Sequence, residues 1–87
     1  MTRPINVIAA EIRAEWFSAI HSRQIPSYMR FSMPYLEAML DIKSIDDDYG
    51  CEPADDIVIR FLTNAAGWRG ETARRVKAEL NKLLESV

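Results

Sequence analysis

Apolar residues recur at three- and four-residue steps along most of this chain, and that period predicts helices. Ile5, Ile8, Ala9, Ile12, Trp16, Ala19 and Ile20 fall on one face of a first helix. Pro4 suits its first turn, where a missing N–H costs nothing. The pattern fades near His21 or Ser22, and Phe17 points away from the stripe, so it is either exposed or covered by another segment. A further helix starts at Pro53, with Ala54, Ile57, Val58, Phe61 and Ala65 on its core face and Ile59 on the opposite one. Asp55 and Asp56 stand in its first turn, where the helix dipole favours acids. Gly67 is expected to stop it, Trp68-Arg69-Gly70 makes a corner, and a final helix carries Ala73, Val76, Leu80, Leu83 and Leu84 as its core stripe.

The middle of the chain reads less clearly. Pro26 and Pro34 bracket Tyr28, Met29, Phe31 and Met33, and the apolar residues at 29, 31 and 33 alternate without a partner strand in view. Residues 24–33 are therefore expected to form an extended connection over the first helix, covering Phe17. Pro34 then opens a short helix with Tyr35, Leu36, Met39 and Leu40 as its apolar side. Residues 44–50 form an acidic turn in which Gly50 supplies a positive φ. The expected architecture is all-α: one domain over residues 1–87, a compact bundle of three main helices plus one short helix.

Composition narrows the class. Hydrophobic residues at 48% and charged residues at 28% are ordinary globular usage, which argues against disorder, and three glycines with four prolines disfavour a turn-rich β-fold. A single cysteine, Cys51, permits no internal disulfide, so a stapled secreted scaffold is excluded. Metal centres built from several Cys and His fail as well, because His21 is the one histidine. Glu11 and Arg13 interrupt any signal-peptide core, and nothing approaches the roughly 18 apolar residues of a membrane span. A cytoplasmic protein with no membrane partner is the expectation.

Charge changes the picture more than its total of −2 suggests. Residues 41–56 hold seven acids (Asp41, Asp46, Asp47, Asp48, Glu52, Asp55 and Asp56) against Lys43 alone, while residues 69–82 hold Arg69, Arg74, Arg75, Lys77 and Lys82 against Glu71 and Glu79. The final helix spaces Glu71, Arg75, Glu79, Lys82 and Glu85 three and four apart, as helix-stabilising ion pairs require.

None of these charges assembles a known catalytic pattern. A calcium loop begun at Asp46 has Asp48 at its third position, but Gly50 at the fifth, Cys51 at the sixth and Ile57 at the twelfth, where ligand, glycine and glutamate belong. That leaves a looser divalent site from Asp46, Asp48 and Glu52 against the simpler reading of a solvated turn. Consecutive acids do not converge on one substrate, Cys51 and His21 are distant in sequence, and Gly67 and Gly70 follow no strand as a phosphate loop would. No enzyme activity, metal or cofactor is expected. The last two helices around a glycine corner outline a helix-turn-helix, whose second helix would offer Arg69, Arg74, Arg75 and Lys82 to DNA. Mixed acids on the same face favour a solvated helix instead.

Residues 34–40 (Pro-Tyr-Leu-Glu-Ala-Met-Leu), Ser44-Ile45-Asp46-Asp47 with Tyr49, Ile57-Val58 with Phe61-Leu62, Asn64-Ala65 and Trp68-Arg69-Gly70-Glu71-Thr72-Ala73-Arg74-Arg75 carry a resemblance. So, more weakly, do residues 8–13 with Trp16. Together these resemble a set of short phage and prophage proteins with no assigned activity, over about two thirds of the chain. Residues 24–33 lie outside that pattern. The resemblance implies a small protein expressed by a mobile element inside a bacterial cell, and by analogy one that binds a host protein.

Three functional expectations follow. The first is a protein–protein interaction module, in the manner of anti-CRISPR inhibitors of a host nucleic-acid-handling or defence complex. It would use the seven acids of residues 41–56, with Tyr28, Met29, Phe31 and Ile59 as apolar anchors. The second is the DNA-binding regulator just outlined. The third is a homodimer burying Phe17 and Ile59.

Overall fold

The computed structural model describes residues 3–22 and 24–85, apart from the side chain of Ile20. The elements run α1 (Ile5–Ile20), α2 (Ser27–Met39), β1 (Asp48–Tyr49), β2 (Glu52–Pro53), α3 (Ala54–Asn64) and α4 (Glu71–Glu85). A Cα radius of gyration of 12.2 Å matches the ~12 Å expected when a chain of this length closes around one core.

Three helices form where the apolar period placed them. Ile5, Ile8, Ala9, Ile12 and Trp16 of α1 are buried and Ala19 packs half-buried beside them, whereas Ile20 falls outside the described side chains. Pro4 stands just before α1 in extended conformation, and its carbonyl accepts the first helical bonds, from Val7 and Ile8. Pro53 likewise stands just before α3 in extended conformation, and Ala54, Ile57, Val58 and Phe61 of that helix face the core with Ala65 just beyond. Asp55 and Asp56 occupy its first turn. In α4, Ala73, Val76 and Leu80 are buried and Leu83 and Leu84 lie at the core's edge.

The second helix departs from the sequence expectation. Residues 27–33 are not an extended connection, and Pro34 does not start a helix: both belong to α2, thirteen residues long with Pro34 in its interior. Pro26 is the residue that opens it, accepting from Met29 and Arg30. The alternation at 29, 31 and 33 misleads because Met29, Met33, Leu36 and Leu40 also fit a helical period, and the core selects that one. Met29, Ser32, Leu36, Ala38 and Met39 are buried, while Phe31 is exposed on the other side. Tertiary burial of an apolar face outweighs the proline's local cost. Ser32, fully buried, meets its polar need inside the helix by donating to the Tyr28 carbonyl. Phe17 is left uncovered, at 59% exposure.

Two smaller corrections follow. The bundle is mostly helical but not strictly all-α, because β1 and β2 pair antiparallel with Asp48 opposite Pro53 and Tyr49 opposite Glu52. Gly50 (φ 63°) leads their two-residue turn, the residue and φ sign of a type II′ hairpin. At the other corner α3 ends at Asn64, before Gly67, and the positive φ belongs to Gly70 at 119°.

The core centres on Trp16. Its fully buried ring stacks on Phe61 (centroids 5.8 Å apart) and meets Tyr28 and Trp68 edge-on at 6.0 and 5.1 Å. Trp68 is itself buried, donating its indole N–H to Glu15.

Charges close the bundle on one side. Arg3 grips Glu79 with two hydrogen bonds (3.0 and 2.6 Å) and reaches Glu11 at 2.7 Å. Arg75 pairs with Glu11 and stands 3.7 Å from Glu79. Of the ion pairs expected along the last helix, Arg75–Glu79 forms, but among the described residues Glu71–Arg75 does not, because Arg75 turns to α1 instead. Arg75 and Arg3 hold Glu11 below the usual carboxylate range, and Arg3 holds Glu79 below it. A depressed folded pKa stabilises above the ordinary Glu value of about 4.3 and loses that contribution as pH falls through the folded value. The urea midpoint should therefore fall between about pH 6 and about pH 3, and fall less in Arg3→Ala. An equal acid loss in both proteins would contradict this role for the cluster.

Candidate functional site

The acidic segment is built as a clasp with its acids outward. Ile42 and Ile45 are buried and anchor it to the core. The Lys43 carbonyl accepts from Ile5 N at the start of α1 (2.9 Å), and the Asp47 carbonyl accepts from Ala54 N at the start of α3 (2.8 Å). The Asp47 carboxylate accepts from the backbone N–H groups of Ser44 (3.0 Å) and Lys43 (3.1 Å), which holds its pKa below the ordinary value. Asp47 is thus a turn-forming residue. Asp55 accepts from the Asp56 backbone N–H and is half-buried.

The other five acids, Asp41, Asp46, Asp48, Glu52 and Asp56, are exposed. Among the described residues none of the seven acids of residues 41–56 forms an ion pair, while Glu11 and Glu79 are paired with arginines. Asp46, Asp48 and Glu52 do not converge into the looser divalent site either. Among the described residues no three His, Cys, Asp or Glu side chains stand together as metal ligands would.

Apolar side chains accompany these acids. Tyr49, in β1 and 43% exposed, sits across the hairpin from Glu52. Cross-strand neighbours of this kind lie within side-chain contact range. Ile59, 47% exposed, lies three and four residues beyond Asp56 and Asp55, hence next to them on the outer face of α3. Tyr49 and Ile59 thus each stand beside acids, and the exposed Arg60 lies four residues past Asp56 on α3. Sequence reasoning singled out Ile59 but passed over Tyr49, whose position opposite Glu52 depends on a hairpin that no alternating pattern announces.

The other proposed anchors separate. Met29 is 6% exposed and belongs to the core, so it offers no surface to a partner. Tyr28 is half-buried, packing its ring edge-on against Trp16 and flat enough along residue 67 that a Cβ there would lie 3.5 Å from it. Phe31, on α2, is the most exposed large apolar residue among those described, at 61%. Phe17 lines a separate groove of about 380 Å³ between α1 and α2, with Met33, Leu36 and Leu40 as its apolar wall and Arg13, His21 and Glu37 as its polar one.

The basic residues of the helix-turn-helix reading also divide. Arg69 and Arg74 are exposed and line a concavity at the start of α4. Arg75 is committed to Glu11 across the bundle, and Lys82 stands eight residues past Arg74, about 12 Å along the helix. Arg69, Arg74, Arg75 and Lys82 are all exposed, and of the four only Arg75 forms an ion pair among the described residues. His21 caps the end of α1 with its ring 4.3 Å from that of Phe17, Cys51 is exposed in the hairpin turn, and no contact joins the two.

No protein-family model, curated protein or solved structure matches this chain. The hairpin and α3 thus expose acids, Tyr49, Ile59 and the thiol of Cys51 to solvent. Among the described residues, no helix is long and apolar enough to cross a membrane.

Proposed function

We propose that this protein is an interaction module that binds a protein partner through the hairpin and the outer face of α3. The observation that carries this reading is the set of five exposed acids without an ion-pair partner, beside Tyr49 and Ile59, on a segment the fold fixes at both ends. Glu11 and Glu79 are paired internally, whereas these acids, like Glu37, Glu71 and Glu85, form no ion pair among the described residues; what sets residues 41–56 apart is the density of acids there. Its chemistry suits a Lys- and Arg-lined groove of the kind that holds nucleic acid. Together with the resemblance to phage proteins, that favours a nucleic-acid-handling or defence complex of a bacterial host as the target, and inhibition by occupation as the effect. Tyrosine is among the residues that anchor interfaces, and peripheral charge accelerates encounter.

The test is capture of a partner from bacterial lysate followed by binding measurements on the captured protein. Asp46→Asn with Asp48→Asn and Glu52→Gln should slow association about tenfold at low salt, and Tyr49→Ala should weaken the complex roughly 30-fold, about 2 kcal/mol. Asp47 is left unchanged because its carboxylate holds the turn. A partner bound equally by the native chain and both variants would sink the proposal.

A further inference from the structure

The concavity at the start of α4 concentrates positive charge that no ion pair among the described residues neutralises. It has a volume of about 250 Å³ and is lined by Trp68, Arg69, Gly70, Ala73, Arg74 and Lys77, with no carboxylate among them. Lys77 is half-buried, with Nζ donating to the Trp68 carbonyl at 2.6 Å and standing 5.9 Å from the Trp68 ring centroid. That carbonyl is neutral, and among the described residues Lys77, Arg69 and Arg74 have no ion-pair partner. Burial pushes the Lys77 pKa down, and the charge of Arg69 pushes it further. Three cations gathered around one hollow, one of them partly desolvated, repel each other until an anion joins them.

The neighbouring acids are engaged or placed elsewhere. Glu15 holds the Trp68 indole N–H, Glu11 and Glu79 are committed to Arg3 and Arg75, and Glu71 does not line the hollow. The backbone at Gly70, φ 119°, has open space where a Cβ would project, so a ligand can approach the main chain closely.

We infer that the Trp68–Lys77 hollow binds a phosphate group, with Arg69 and Arg74 as the exposed clamp and Lys77 as the inner cation. Two guanidiniums suit the several oxygens of a phosphate better than the two of a carboxylate. This site is separate from the acidic face and stands or falls without it. The phosphate can belong to a small free ligand or to a nucleic-acid backbone, and the two sources are distinguished by the probe.

The experiment is a titration of the full chain at low salt, following backbone amide shifts, with inorganic pyrophosphate and with a single-stranded oligothymidine. Saturable shifts at residues 69–77 are expected, weakened roughly tenfold or more in Arg69→Ala with Arg74→Ala and unchanged in Lys82→Ala. Both arginines are exposed, so the variant should fold, which circular dichroism verifies. Tighter binding of the oligothymidine through the same residues assigns the phosphate to a nucleic acid, and preference for pyrophosphate assigns it to a small ligand. The inference is overturned by any of three results: no saturation by about 10 mM of either probe, shifts reproduced by sodium chloride at equal ionic strength, or shifts indifferent to the double variant.

Discussion

Replacing Trp16 by alanine should cost about 3–5 kcal/mol, the range for truncating a large core aromatic. The ring is fully buried and contacts Phe61, Tyr28 and Trp68, so it joins α1 to α2, α3 and the corner before α4. An 87-residue domain has a total stability of roughly 4–13 kcal/mol, so the variant should melt about 15–30 °C lower or be partly unfolded at room temperature. Trp16→Phe should be far milder. It keeps an aromatic ring against Phe61 and removes an indole N–H that has no acceptor among the described residues, so no hydrogen bond is lost. Thermal denaturation of the three proteins decides the matter. A Trp16→Ala midpoint within about 5 °C of the native chain would mean the core is centred elsewhere.

The second large effect has the opposite sign. Pro34 lies in the interior of α2, where it cannot donate to the Arg30 carbonyl and where its ring crowds that carbonyl. Proline in a helix interior costs about 3 kcal/mol relative to alanine. The proline also restricts the unfolded chain, which returns roughly 0.4–1 kcal/mol. Pro34→Ala should therefore stabilise the protein by about 1–2.5 kcal/mol and raise the melting midpoint by roughly 5–15 °C, since Pro34 is exposed and gives up no core contact. A lower midpoint would show that the packing of α2 requires the distortion the proline imposes.

That same proline explains where the sequence could be read and where it could not. In α1 and α3 the prolines sit just outside the helix and the apolar period begins behind them, so local preference and burial agree. In α2 they conflict, and a pattern judged from residues 29, 31 and 33 cannot see the buried Ser32 or the core that rewards Met29, Leu36 and Met39 together. Trp68 looked like part of a corner, yet it is buried because Trp16 and Glu15 of a helix fifty residues earlier receive it. Arg75 carried the spacing for helical neighbours on both sides, and pairs with Glu11 because α1 brings that acid alongside. Such partners are set by tertiary structure and leave no periodic trace.

The acidic face was legible as charge and illegible as geometry. The density of acids in residues 41–56 is plain from composition along the chain, but the division of labour is not. Asp47 serves the turn through two backbone N–H groups, and Asp41, Asp46, Asp48, Glu52 and Asp56 face outward. Tyr49 joins them through a two-residue strand whose side chains are exposed, which leaves no alternating signal to find.

The most direct measurement is the association rate of the captured partner as a function of salt, for the native chain and for the variant with Asp46→Asn, Asp48→Asn and Glu52→Gln. The acidic face predicts a rate that falls steeply as ionic strength rises in the native chain and a much flatter dependence, starting about tenfold lower, in the variant. Identical rates and identical salt dependence in the two proteins would contradict it.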